Sequence, residues 1–199
     1  YTTLFRSSTD ELTAVLAEIK ASGAAKAEIC LTTNIALEGA LGVEGVHLCV
    51  KSEDGKNFSI TKKQEENGIY LAGDVTFQNV SPSGSLFACG HTVEFGEEYN
   101  GYGLRLYGGA DYDLDLTDGS DPDSSTHIII RSGRFHSIVG GNKDIFTQGK
   151  YHEYADWSDP NENKHTTLTG DVKIDIYGGS FGGSYNIDVG DTCCNTSVT

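Results

Sequence analysis

Proline is scarce in this chain, methionine is absent, tryptophan occurs once, and 14 lysines and arginines face 29 aspartates and glutamates. Each shortage excludes something. A formal net charge of −15 argues against nucleic acid as a partner, because binding phosphates requires a basic surface. The same charge attracts cations, Ca²⁺ among them. No apolar run approaches the roughly 20 residues of a membrane span. No export leader is visible, and a chain that starts at Tyr1 and lacks methionine is expected to be a piece of a longer protein. The cysteines number 5, an odd count that excludes complete internal pairing, and none forms a CxxC motif or stands at a zinc spacing from a histidine. Cys30 and Cys49 lie inside the apolar runs EICLTT and VHLCV and read as small buried hydrophobes. The adjacent Cys193 and Cys194 leave their pairing open. The histidines form no HxH or HExxH group.

Glycine, at 25 residues, is plentiful, and its placement is informative. IIIRSGRF, beginning at Ile128's neighbourhood, recurs as IDIYGGSF: Ile128, Ile130, Gly133 and Phe135 reappear as Ile174, Ile176, Gly179 and Phe181. A weaker copy, LRLYGGA, begins at Leu104. A short alternating strand, a glycine turn and a new strand, repeated, mark a solenoid of stacked turns. The spacings suggest a turn of about 24 residues, with the stronger pair two turns apart. Leu104 is then expected to stack on Ile128, and Leu106 on Ile130. Gly133 and Gly179 would fill corners that need positive φ or close backbone approach.

At the start, Ser8 and Glu11 form a capping box. Leu12, Val15, Leu16 and Ile19 then give one apolar helical face, and Gly23 stops it. The pattern predicts a helix over 9–21, within a capping unit of 8–22, that covers the first open end of the stack. Strand-like runs follow at Ala27–Thr32, Val46–Val50, Asn57–Thr61, Gly68–Ala72, Val75–Val80, Ser85–Ala88, Thr92–Phe95, Gly103–Tyr107, Tyr112–Leu116, His127–Arg131 and Val172–Tyr177. No second amphipathic helix separates them, which argues against βαβ units. Residues 143–167 are polar, aperiodic and hold the tryptophan; they read as an irregular insertion on one face.

The opening series TDELTAVLAEIK, AEICLTTNIAL, VHLCVKS, NFSITK and GIYLAGDVTFQNV, with HIIIRSGRFHSIVGGN and GDVKIDIYGGSFGGSYN later, resembles the pectate-lyase-like right-handed parallel β-helices of bacterial cell-surface and secreted, adhesin-like proteins. The resemblance implies an all-β solenoid, one unit over 1–199, located outside the bacterial cell. It implies no single activity, since this architecture hosts lyases, hydrolases, adhesins and stalks alike.

Three surfaces stand out. In DYDLDLTDGSDPD, Asp111, Asp113 and Asp115 share one strand face, and Asp118 and Asp121 follow in a turn. Such dense hard oxygen ligands suit Ca²⁺, and a solvated acidic face is the alternative. Tyr151, Tyr154 and Trp157 in the insertion offer flat rings for a glycan or a protein; anchoring of their own loop is the alternative. Tyr99, Tyr102, Tyr107, Tyr112 and Tyr177 add further aromatic surface. Arg131, Arg134 and His136 are the residues a lyase would need beside the acidic strand, though no lyase motif surrounds them. The sequence therefore favours a non-catalytic extracellular module that binds a glycan or a host or cell-surface protein. Its rival is a polysaccharide lyase or glycoside hydrolase acting on acidic polysaccharide.

Overall fold

The computed structural model describes residues 3–6, 8–63, 68–110, 125–141, 171–181, 187–188 and 196–198, with side chains described in 8–63, 68–110, 125–141 and 171–180. Within them the protein is mostly β, with one α-helix. The strand β1 (Thr3–Arg6) precedes the helix α1 (Thr9–Ser22). Ser8, in extended conformation, caps α1 by accepting from the Glu11 amide at 3.2 Å, and Gly23 closes it at φ 66°. Leu12, Val15 and Ile19 are buried in the main core, as their spacing requires. Thr9 Oγ1 donates to the Ala36 carbonyl at 2.6 Å and fastens the helix start to the strand beyond it.

Next come β2 (Lys26–Leu31), β3 (Ile35–Leu37), β4 (His47–Ser52), β5 (Phe58–Lys62) and β6 (Ile69–Tyr70). They are followed by β7 (Val75–Phe77), β8 (Val80–Pro82), β9 (Ser85–Phe87), β10 (Thr92–Phe95) and β11 (Tyr102–Tyr107). The last group is β12 (Thr126–Ile130), β13 (Arg134–Val139), β14 (Val172–Ile176), β15 (Ser180–Phe181), β16 (Ile187–Asp188) and β17 (Thr196–Val198). They form three sheets. The largest runs β1-β2-β4-β7-β10-β12-β14-β17, the second β15-β13-β11-β9-β6 with β16 also on β13, and the third β3-β5-β8. Every pairing between these strands is parallel.

Parallel neighbours cannot be joined by a hairpin. From β1 the chain returns to the large sheet at β2 through α1; each later time it leaves that sheet it passes through one or both of the others and returns one strand further on. Inward residues therefore meet their counterparts in ladders. Ala27, Leu48, Val75, Val93, Ile128 and Ile174 form one ladder; Ile29, Val50, Phe77, Phe95, Ile130 and Ile176 form the next. Apart from the half-buried Ile176, these side chains are buried in one core with α1, and each of the larger ones contributes roughly 1.5–3 kcal/mol. The rings of Phe77 and Phe95 stack at 5.5 Å, and Phe135 meets Phe95 edge-on at 4.9 Å.

Several expectations need correction. Ile128 and Ile174 are direct partners, so the 46-position displacement is one return and not two. Returns are uneven, from 18 positions (Val75 to Val93) to 46, so a fixed repeat of about 24 does not hold. Leu104 and Leu106 do not lie on Ile128 and Ile130. They belong to the second sheet, where Leu104 faces Phe135 and Leu106 lies between Leu86 and Ile138. Ile128 and Ile130 instead lie on Val93 and Phe95. The glycine pair after LRLY is matched to Gly140-Gly141 after SIV, through Gly108 N donating to Val139 O and Gly109 N to Gly141 O. A strand, β1, precedes the helix and pairs with β2 at the edge of the large sheet.

Candidate functional site

The second sheet turns one face to the core and the other outward, and the outward face is ordered in rows across the strands. At one end Tyr70, Phe87 and Tyr107 stack ring on ring, 4.9 and 5.0 Å apart, beside Val139 and Cys89. Two positions back along each strand lie Ser85, Arg105 and Ser137. Towards the corner that leads from β12 into β13, Tyr102, Arg134 and Ser180 stand side by side in register.

Irregularities in the β11–β13 pairing create this arrangement. Gly103, at φ 77°, is an extra residue in β11 between Tyr102 and Leu104; His136 is an extra residue in β13 between Phe135 and Ser137. One offsets the other, so the inward register of Leu106 with Ile138 is kept. Bulges of this kind re-aim side chains. Here Tyr102, Arg105, Arg134 and His136 all become exposed.

Two cation–π pairs mark the corner. The Arg134 guanidinium lies 5.8 Å from the Tyr102 ring centroid, and that of Arg131 lies 5.1 Å from the Tyr177 ring. Tyr102 and Tyr177, at 79% and 69% exposure, are the large hydrophobic side chains left open to solvent among the described residues. The chain path explains their positions. Tyr177 N donates to Ile130 O, which places it beside Arg131, just past the end of β12, and Arg134 Nε donates to Ser180 Oγ at 3.1 Å.

The two arginines differ electrostatically. Arg131 Nε donates to Glu94 Oε1 at 2.5 Å, and this hydrogen bond raises an already high pKa. Arg134 and Arg105 have no carboxylate partner among the described residues. Strands β6, β9, β11, β13 and β15 contain no aspartate or glutamate; Asp188 of β16 is paired with Val139, at the far end of the face. In a chain of net charge −15, this is a basic strip.

The outward face of the large sheet is different. Its charged groups have partners: Lys51 pairs with Glu28 at 2.9 Å and Arg131 with Glu94 across strands, and Asp175 Oδ2 meets Lys173 of its own strand at 2.6 Å and His127 of the neighbouring strand at 2.8 Å. The Lys173 and His127 hydrogen bonds lower the Asp175 pKa. His47 Nε2 meets Thr76 Oγ1 at 2.8 Å.

The sequence-derived residues fare unequally. Arg131, Arg134, Tyr102 and Tyr177 are brought together at one corner, with His136 exposed further along β13. Tyr99 and Tyr107 are not surface residues: Tyr99, at 2% exposure, packs among Phe95 and Phe135, and Tyr107 is buried in the ring stack. The proposed Ca²⁺ ligands Asp111, Asp113, Asp115, Asp118 and Asp121, the strand Tyr112–Leu116, the rings Tyr151, Tyr154 and Trp157, the insertion 143–167, and Cys193 and Cys194 lie outside the described residues. Arg105 was missed. Its signal was a single charge at the outward position of LRLY, which by itself reads as an ordinary solvated side chain. Comparison with protein-family models, curated proteins and solved structures gave no match.

Proposed function

We propose that the chain is a right-handed parallel β-helix of the pectate-lyase-like kind, and that it serves as a non-catalytic, adhesin-like module on the outside of a bacterial cell, binding glycan at its arginine–tyrosine corner. The winding is supported by the strand-by-strand advance through the sheets and by the strong preference of parallel crossovers for the right hand. The observation that carries the function is the pairing of each exposed tyrosine with an arginine of a neighbouring chain segment. A ring left in water offers a flat apolar face, and the cation beside it holds the ring in place and supplies hydrogen-bond donors. Surrounding hydroxyls from Ser85, Ser137 and Ser180 suit the polyhydroxyl edge of a sugar chain.

The state of Arg131 favours binding over lyase chemistry. A general base needs a pKa drawn down towards the working pH, whereas Glu94 pushes that of Arg131 further up.

A glycan array tests the reading, with an unsaturated-uronate absorbance assay run beside it. Binding is expected, weakened by Tyr102→Ala and Tyr177→Ala, without growth of absorbance. Sustained absorbance growth that disappears in Arg131→Ala would establish the lyase instead.

A further inference from the structure

We infer that the ligand of the corner is an anionic glycan, one whose sugars carry carboxylate or sulfate groups, and that Arg134 with Arg105 binds those groups. This rests on the glycan-binding reading above and narrows it. The whole chain is strongly acidic and would repel a polyanion, so the sign of the local surface decides the matter. The outward face from β9 to β15 has Arg105, Arg134 and His136 and no carboxylate on those strands. A single-sign strip inside an oppositely charged surface focuses its field where a ligand lands.

The donor geometry agrees. A guanidinium has five N–H donors. Arg134 spends Nε on Ser180 Oγ and lays its face near the Tyr102 ring. Its terminal nitrogens have no side-chain partner among the described residues, and that edge is the one that grips a carboxylate or sulfate through two parallel hydrogen bonds. Arg131 is already committed to Glu94, so the anion falls to Arg134 and Arg105, with Arg131 holding Tyr177 in place. The row beside the strip is closed to the apolar side chains of a peptide, since Phe87, Tyr107 and Val139 are buried. A ribbon of sugars lying across Tyr102 needs only the open ring and the serine hydroxyls.

Binding of dextran, dextran sulfate, polygalacturonate and polyglutamate to the full chain, at low and at raised salt, tests this. Dextran and dextran sulfate differ only in the charged groups. Expected are binding of dextran sulfate and polygalacturonate, weaker binding of dextran, and loss of affinity as salt rises. Arg134→Ala and Arg105→Ala should each weaken polyanion binding about tenfold, the size of one charged hydrogen bond. Lys20→Ala, on the far-removed helix, should change nothing, and a thermal melt of each variant checks folding. Dextran bound as well as dextran sulfate, and sensitive to Tyr102→Ala, would overturn the anionic ligand while leaving the glycan reading standing. Polyglutamate bound as tightly as dextran sulfate would assign the strip to an acidic protein. Equal losses from Lys20→Ala would reduce the effect to diffuse charge, and no binding to any polysaccharide would overturn the glycan reading itself.

Discussion

Gly133 lies against the ring of Tyr99: a Cβ at Gly133 would stand 2.3 Å from Tyr99 Cδ1. The glycine also holds φ 106°, in the region where a side chain is strained. It forms the turn between Arg131 and Arg134, so core packing and the arginine–tyrosine corner meet at one residue. Gly133→Ala is expected to destabilise the protein by at least about 2 kcal/mol, from backbone strain and displacement of a core ring. Chemical denaturation measures the loss.

Tyr99 itself is over-functional for its position. Its hydroxyl is buried and has no partner among the described residues, and burial raises its pKa. An unsatisfied buried polar group costs about 1–3 kcal/mol. Tyr99→Phe keeps the ring contacts with Phe95 and Phe135 and removes that cost. It should raise the melting temperature, and a lower one would show that the hydroxyl is satisfied in solution.

Acid should act through Asp175. Its folded pKa lies below the ordinary 3.8 because Lys173 and then His127 hydrogen-bond to the carboxylate. A group whose folded pKa is depressed stabilises the fold above its unfolded pKa and stops doing so as pH falls through the folded value. Asp175→Asn should therefore be less stable than the parent near neutral pH, and the gap should close below about pH 4. Urea denaturation of both proteins across that range gives the curve.

The thiols are expected to be slow. Burial pushes the Cys49 pKa up to about 11 and the Cys89 pKa up to about 12, and raises that of Cys30. Only the thiolate reacts. Iodoacetamide at neutral pH should leave these three unlabelled in the native protein and label them in urea, as read by peptide mass spectrometry.

Most strands were legible because alternation is a record of burial: in VHLCV, TVEF and VKIDI the apolar positions are the ones that face the core. Two features hid the rest. The run Val75–Val80 reads as one strand, yet it divides into β7 and β8 in different sheets. Asn79 makes the corner, accepting from Ser52 N at 2.8 Å and donating to Lys56 O at 3.1 Å, and an asparagine inside an alternating run was the signal. Register was harder. Gly109, the counterpart of Gly133 and Gly179 in the weaker copy, does not share their positive φ. Gly133 and Gly179 serve positive φ, at 106° and 104°. Identical residues answering different steric demands produced a false period. The arginine–tyrosine corner was legible only as its separate parts, because the bulges at Gly103 and His136 that align them depend on pairing between strands.

The account stands on β10, and not β11, lying beside β12, which leaves β11 against β13 and Tyr102 beside Arg134, and disulfide trapping tests it most directly. Glu94 and Ile129 are partners across β10 and β12, on neighbouring strands at about 4.8 Å, within reach of a disulfide. Arg105 and Ile129 would be the partners if the 24-residue period ruled. On mild oxidation, the Glu94→Cys/Ile129→Cys protein should yield the cross-linked peptide by mass spectrometry, and Arg105→Cys/Ile129→Cys should not. A cross-link in the second protein and none in the first would contradict the stacking, and with it the surface on which the proposed ligand rests.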